Sequence, residues 1–233
     1  MESIISLILV IVFSYLIGSF PSAIFISKRF FGFDIREKGS GNMGSTNAFR
    51  ILGWKWGLTV QVLDILKGFL AVVIVGNLLG QWVSFGGYNT YFEDITIVKL
   101  IAGIAAVSGH IWTIFAGFKG GKGINTAAGM LIGVAPVDVG VAIGIFILAL
   151  VFSGYVSLGS ISGAIAFPSS LLVRYELLGA EIPGYHILIY FAILLAVLLV
   201  FTHRQNIVRL IKGTENKFAK LQLIKCRKNT NDI

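Results

Sequence analysis

Charge is what this sequence has little of. Asp, Glu, Lys and Arg make up 13% of its 233 residues, against about a quarter in a soluble domain. That shortage excludes an ordinary soluble core. With 56% apolar residues and a mean hydropathy of +0.86, the chain reads as an integral membrane protein. Spans then take up most of its length, so residues 1–233 form a single membrane domain without a separate soluble module. Cysteine is nearly absent: a lone Cys226 rules out an intramolecular disulfide. No basic residue precedes the first apolar run, which begins at Ile4. A cleaved signal peptide has a charged start and a shorter core, so this run is read as a retained span.

Several chemical signatures are also missing. No His/Cys cluster has metal-ligand spacing, and neither metal nor cofactor is expected. No Ser-His-Asp order is suggested. The His-Asp dyad of common glycerolipid acyltransferases is absent: five residues after His110, His186 and His203 stand Phe115, Phe191 and Val208. KGGKG at 119–123 is not a Walker loop. Ala116 stands where the first glycine belongs and Gly123 where Ser or Thr would hold magnesium, which disfavours nucleotide hydrolysis.

What is present is a series of apolar runs, at roughly 4–26, 57–81, 98–118, 124–153, 155–173 and 186–202; a spanning helix needs about 20 residues. Sixteen of the 19 Lys and Arg fall in three polar segments: six in 27–56, two in 119–123 and eight from His203 onward. The positive-inside rule puts these in the cytoplasm and 82–97 and 174–185 outside. The N-terminus is then outside and the C-terminus cytoplasmic. Parity requires an even number of crossings after KGGKG, yet only three runs remain. The longest must start and end on one side, with a turn at Pro136 and Asp138 between helices 124–135 and 139–153. The fold class is an all-α polytopic membrane protein with about seven transmembrane helices, some short. Whether 124–153 crosses twice or is re-entrant stays open, since its first arm is about 18 Å long. Among the 28 glycines, the pairs Gly129/Gly133, Gly140/Gly144 and Gly159/Gly163 have the spacing of close helix contacts.

The three cytoplasmic segments, 27–56, 119–126 and 202–218, carry chemistry beyond charge. In EKGSGNMGSTNAFR, glycines can form an anion-binding nest. Ser40, Asn42, Thr46 and Asn47 add neutral donors, and Arg50 a planar fork for phosphate. Lys28, Arg29, Lys38 and Lys55 are read as topology anchors. Lys119, Gly120, Gly121, Lys122 and Gly123 run into a helix whose early residues include Asn125 and Thr126. Free N–H groups and the positive dipole end make that a phosphate seat, with Lys119 or Lys122 as counter-charge. In 202–218, His203, Asn206 and Arg209 share one helical face, and Glu215 could pair with a loop arginine. The rest, through 219–233, is a basic tail drawn to lipid. Within the spans, Asp64 and Lys67 could neutralise each other, and His110 either lines the site or is an interior hydrogen-bonded histidine.

GSFPSA at 18–23, GSGNMGSTNAFR at 39–50, GGKGINTAAG at 120–129 and THRQNIVRLIKGTEN at 202–216 resemble, in order, the signatures of the bacterial membrane acyl-phosphate:glycerol-3-phosphate acyltransferase family. The resemblance implies transfer of a fatty acyl group from acyl-phosphate to the sn-1 hydroxyl of glycerol 3-phosphate. The products would be lysophosphatidic acid and inorganic phosphate, at the first step of phospholipid synthesis. It implies Ser40, Arg50, His203 and Asn206 as catalytic, Gly120, Gly121, Lys122 and Gly123 as the glycerol phosphate loop, and Glu215 as structural. It also implies the bacterial cytoplasmic membrane, a site facing the cytoplasm, the lipid bilayer as a partner, no nucleic acid, and contact with the acyl-phosphate-producing enzyme. An acyl phosphate is a reactive mixed anhydride whose own phosphate could take the attacking hydroxyl's proton, since a phosphomonoester's second pKa is about 6. The protein would then position and stabilise charge, with His203 a positioner before a base. The competing class is a transporter of a phosphorylated solute, favoured by broken helices and mid-membrane charge. Clustering of the polar motifs at one face and the lack of an evident repeat count against it. A third class, a scaffold of lipid metabolism, would not need the phosphate loop.

Overall fold

The computed structural model describes residues 2–85 and 94–217. Glu93, Cys226 and the basic tail 219–233 lie outside the described residues. Among those described, all regular structure is helical. The elements are α1 (Glu2–Ser19), α2 (Ser22–Ile26, continuing through a π-helical turn, Ser27–Phe31), α3 (Ser45–Leu52), α4 (Trp54–Leu70, prolonged through Ala71–Gly76) and α5 (Asn77–Gly80). Then follow α6 (Asp94–Ile111), α7 (Ile124–Val134), α8 (Pro136–Ser153), α9 (Val156–Leu172), α10 (Tyr185–Thr202) and α11 (Arg204–Ile211). Six described helical stretches are long and apolar enough to cross a membrane, and α7 is a shorter apolar helix. The all-α polytopic reading with about seven membrane helices, some short, therefore stands.

The chain divides into two compact units, Met1–Pro136 and Val137–Ile233. In the first, helices approach at glycines. A Cβ at Gly18 would run into the Ala106 carbonyl, and one at Gly109 into the Tyr15 carbonyl, which fixes α1 against α6. Gly68 faces the Thr126 carbonyl and Gly129 the Ile65 carbonyl, drawing α7 onto α4. In lipid, such close approach supplies the dispersion contact that the hydrophobic effect cannot.

A break between α1 and α2 sets up the polar interior. Pro21 cannot donate to the helix ladder, and the Phe20 carbonyl beside it takes a hydrogen bond from Lys67 Nζ at 3.1 Å. Lys67 also pairs with Asp64 Oδ1 at 2.9 Å. Ser22, just past the break, donates to the same oxygen at 2.6 Å. The two membrane-embedded charges neutralise each other, as their three-residue spacing predicts, and GSFPSA supplies the groups that hold them.

Between α7 and α8, the turn expected at residues 136–138 is not there. The only non-helical residue is Ala135 (φ −139°, ψ 67°), and α8 begins at Pro136 itself. Proline's fixed φ suits the first helical position, and an acid in the first turn meets the positive dipole end. Asp138 is buried in that turn and accepts from Ser170 Oγ at 2.7 Å and Arg174 Nη1 at 2.6 Å. Gly159 and Gly163 of α9 lie against Phe146 and the Ala142 carbonyl, whereas Gly140 and Gly144 face open space and pack nothing described.

Candidate functional site

The first polar segment is a folded loop. Asp34 caps the short helical turn Ile35–Glu37, accepting from Arg36 N at 3.0 Å and from Arg36 Nη2 at 2.8 Å. Arg36 Nη1 reaches across to the Ala116 carbonyl at 2.9 Å, tying this loop to the one after α6. The Arg36 side-chain hydrogen bond holds the Asp34 carboxyl well below the usual carboxylate range, and Asp34 in turn raises Arg36. Lys28 joins the same carboxylate at 3.2 Å.

Asn47 organises the loop from within. Its Oδ1 accepts from Ser40 N at 3.0 Å, and its Nδ2 donates to the Lys38 carbonyl at 3.0 Å and the Ile35 carbonyl at 3.3 Å. Both ends of this buried amide are committed to backbone, so Asn47 shapes the site even where it lines it. Asn42 Oδ1 likewise accepts from Gly44 N at 2.8 Å. Gly39 has φ +63°, and a Cβ there would strike Asn47 Oδ1; both make glycine necessary.

KGGKG folds back on the end of α6. Gly120 N donates to the Ile111 carbonyl at 2.9 Å and Gly121 N to the His110 carbonyl at 3.0 Å. These amides satisfy orphan carbonyls at a helix C-terminus and are not free phosphate donors, which corrects the expectation that the whole loop offers its N–H groups. The free donors start later. Gly123, at φ +77°, is the N-cap of α7, and the first turn of α7 follows. The first turn of α3 behind Gly44 is the other helix N-terminus, and Asn125 Nδ2 joins the two by donating to Ser45 Oγ at 2.9 Å.

Between these two helix starts lies a cavity of about 280 Å³, lined by residues of the first unit. Ser40, Asn42, Thr46, Asn47, Arg50, Lys122 and Gly123 border it, as the motifs suggest. Gly44, Ser45, Ile124 and Asn125 complete the helix-start walls. Two cations and two positive dipole ends face one space, an arrangement that attracts an anion. Of the two lysines left open, Lys122 borders the cavity. Lys119 is exposed elsewhere, and Gly120, Gly121 and the buried Thr126 stand behind the wall.

Asp64 and His110 also line this cavity. Both are buried, at 1% and 3% exposure. The motifs did not assign them. The signal was a charge and a histidine inside apolar runs, and only packing shows that they share a site.

The third segment belongs to the second unit. His203 is not on one continuous helix with Asn206 and Arg209: it sits at the break between α10 and α11 with ψ near 7°, its Nδ1 2.9 Å from the Leu199 carbonyl. Asn206 Nδ2 donates to Glu215 Oε1 at 2.9 Å and Arg209 Nε to Oε2 at 2.7 Å. Glu215 thus pins the turn after α11, and its partner is Arg209 rather than a loop arginine. The hydrogen bonds from Asn206 and then Arg209 lower its pKa.

A family model described as Glycerol-3-phosphate acyltransferase matches residues 8–213. The glycerol-3-phosphate acyltransferase of Chlorobium phaeovibrioides is 47% identical, over 91% of this chain and 97% of that protein. The enzyme of the same name from Chlorobaculum tepidum is 49% identical, over 90% and 95%. Among solved structures, the crystal structure of PlsY (YgiH), an integral membrane glycerol 3-phosphate acyltransferase, in its glycerol 3-phosphate form aligns with a TM-score of 0.63. It is 35% identical over 93% of this chain and 97% of that one. The lysophosphatidic acid form aligns with a TM-score of 0.64 at 33% identity and the same coverage.

Proposed function

The chain belongs to the glycerol-3-phosphate acyltransferase family, and from that premise we propose its reaction: transfer of a fatty acyl group from acyl-phosphate to the sn-1 hydroxyl of glycerol 3-phosphate. Lysophosphatidic acid and inorganic phosphate are released. The observation that carries this reading is the cavity where Arg50, Lys122 and the starts of α3 and α7 converge. Two phosphate-bearing substrates need more anion contacts than one. The glycerol 3-phosphate form and the lysophosphatidic acid form of the related PlsY crystal structure support the acceptor and the product.

The chemistry asks little of the protein beyond placement. Arg50 and Lys122 neutralise phosphoryl oxygens, and Ser40 orients them from the loop that Asn47 holds. The acceptor hydroxyl attacks the acyl carbonyl carbon, the carbon–oxygen bond to phosphate breaks, and the departing phosphate takes the hydroxyl proton. A phosphomonoester with a second pKa of about 6 is competent for that role. His203 and Asn206 are assigned by the family resemblance as positioning groups, and Glu215 holds their segment. An open apolar groove lined by Phe20, Pro21, Ile24, Phe25 and Phe115, with Lys28 and Arg29 beside it, suits an acyl chain with an anionic head. The whole chain acts as one membrane domain in the bacterial cytoplasmic membrane, with the site toward the cytoplasm and the acyl-phosphate-producing enzyme as a supplier.

The test is purified protein in detergent supplied with acyl-phosphate and glycerol 3-phosphate. Acyl transfer releases inorganic phosphate and an acylated product without a second compartment. A transporter of a phosphorylated solute would release neither. A basic limb of the pH–rate profile that disappears in His203→Ala and His203→Gln would make that histidine the base and refute the substrate-assisted step.

A further inference from the structure

We propose that Asp64 and His110 recognise the hydroxyl end of glycerol 3-phosphate, so that the cavity holds its acceptor in one orientation. The proposal rests on the acyltransferase reading of the cavity and assigns a part of it that the polar motifs do not reach. Among the lining residues, only Asp64 and His110 come from the long helices α4 and α6; the others come from the loops, the short helix α3 and the first turn of α7. The two therefore form its floor.

Each carries a polar atom with no partner among the described residues. Asp64 Oδ1 is fully used by Ser22 and Lys67, whereas Asp64 Oδ2 meets no donor among the described residues. His110 Nδ1 lies 3.7 Å from Asp64 Oδ1, beyond hydrogen-bonding distance, and is likewise unpartnered among the described residues. An ion pair that served only to neutralise membrane-embedded charge would use both carboxylate oxygens and would have no reason to border a cavity. Buried polar groups left unpaired in a folded protein are few, and each calls for a partner.

The chemistry of the partner follows from the sign of the unpaired groups. The cavity's outer part, Arg50, Lys122 and two helix N-termini, presents donors and positive charge. Its floor presents a carboxylate oxygen, an acceptor only, and an imidazole nitrogen able to accept or donate. A phosphate is repelled by the carboxylate and attracted by the outer wall. A hydroxyl donates to Asp64 Oδ2. A ligand with a phosphate at one end and vicinal hydroxyls at the other satisfies both parts at once. Lys67, held by the Phe20 carbonyl at 3.1 Å, pairs with Asp64 Oδ1, and Ser22 fixes the carboxylate's rotamer. A one-carbon-longer reach is not needed, because floor and wall border the same space of about 280 Å³.

Equilibrium binding of glycerol 3-phosphate and of n-propyl phosphate, which lacks both hydroxyls, tests this with the full-length protein in detergent. Wild type is expected to prefer glycerol 3-phosphate by roughly tenfold to a hundredfold, the range of a hydrogen bond to a charged group. Asp64→Asn should reduce that preference, and Asp64→Leu combined with Lys67→Met should abolish it while leaving propyl phosphate binding within about twofold, since removing both charges leaves no uncompensated ion behind. Arg50→Ala should weaken both ligands together. Equal affinity of wild type for the two ligands overturns the proposal without any variant, as does a double variant that keeps the preference or loses both ligands alike. Failure of the acyltransferase reading shows separately, as absence of acyl transfer by wild-type protein.

Discussion

Gly120→Ala is the sharpest probe of how this site is built. A Cβ at Gly120 would fall on the carbonyl oxygens of His110 and Ile111, and these belong to backbone that cannot swing aside. The loop must lift away from α6, which breaks the bonds from Gly120 N and Gly121 N at 2.9 and 3.0 Å. Each bond contributes about 1 kcal/mol net, and each helix carbonyl left unpaired costs about 1–3 kcal/mol. Overpacking of this kind costs about 1–3 kcal/mol, so a local loss of about 3–5 kcal/mol is reasonable on those figures. The catalytic effect should be larger than the stability effect. Lys122 and Gly123 follow at once in the chain, and a displacement of about 1 Å at a positioned group costs about a hundredfold in rate. The control is Gly117→Ala, in the same connection. Gly117 has φ +67° but nothing within 4 Å of an added Cβ, so it should lose only the left-handed backbone penalty of about 1–2 kcal/mol. Phosphate release measured against glycerol 3-phosphate concentration, with thermal unfolding in detergent alongside, separates the two. If Gly120→Ala matches Gly117→Ala in both assays, the loop is not anchored on α6 in the manner described.

Asn47→Ala should destabilise the protein by about 2–4 kcal/mol, since it deletes three hydrogen bonds and strands loop backbone groups; thermal unfolding reads this, and an unchanged midpoint would contradict it. Lys122→Ala should raise KM for glycerol 3-phosphate about tenfold to a hundredfold, the range for a charge-assisted hydrogen bond, with Lys119→Ala near wild type; steady-state kinetics would refute the assignment if the two lysines swapped effects. Asp34 has a depressed folded-state pKa, so its contribution to stability is complete above the ordinary aspartate value of about 4 and is lost as pH falls toward the folded value. Wild-type unfolding temperature should therefore drop in acid more steeply than that of Asp34→Asn, and parallel profiles would refute the role.

Much of the architecture is legible in the sequence because a bilayer imposes simple rules. Runs of apolar residues mark the helices, and the break near Pro136 shows as polar and turn-forming residues inside an overlong run. Its placement was off because proline and an acid can also begin a helix, and here Pro136 and Asp138 do so. The motif residues Ser40, Arg50 and Lys122 are legible too, since Gly-rich loops with a cation before a helix read as anion sites. Roles within those motifs are less so. Asn47 and Asn206 look like ligand donors in one dimension, but their amides hold backbone and Glu215 in three.

By itself the sequence determined which stretches enter the membrane and which three polar segments carry phosphate chemistry, because hydropathy, charge asymmetry and glycine content are local properties. Only the tertiary structure decided which N–H groups of KGGKG are spent on α6, which lysine borders the cavity, and that Asp64 and His110 lie beneath it. Ser22 and Asp64 meet across 42 residues of chain. No local period encodes such a contact; it exists only because α2 packs against α4.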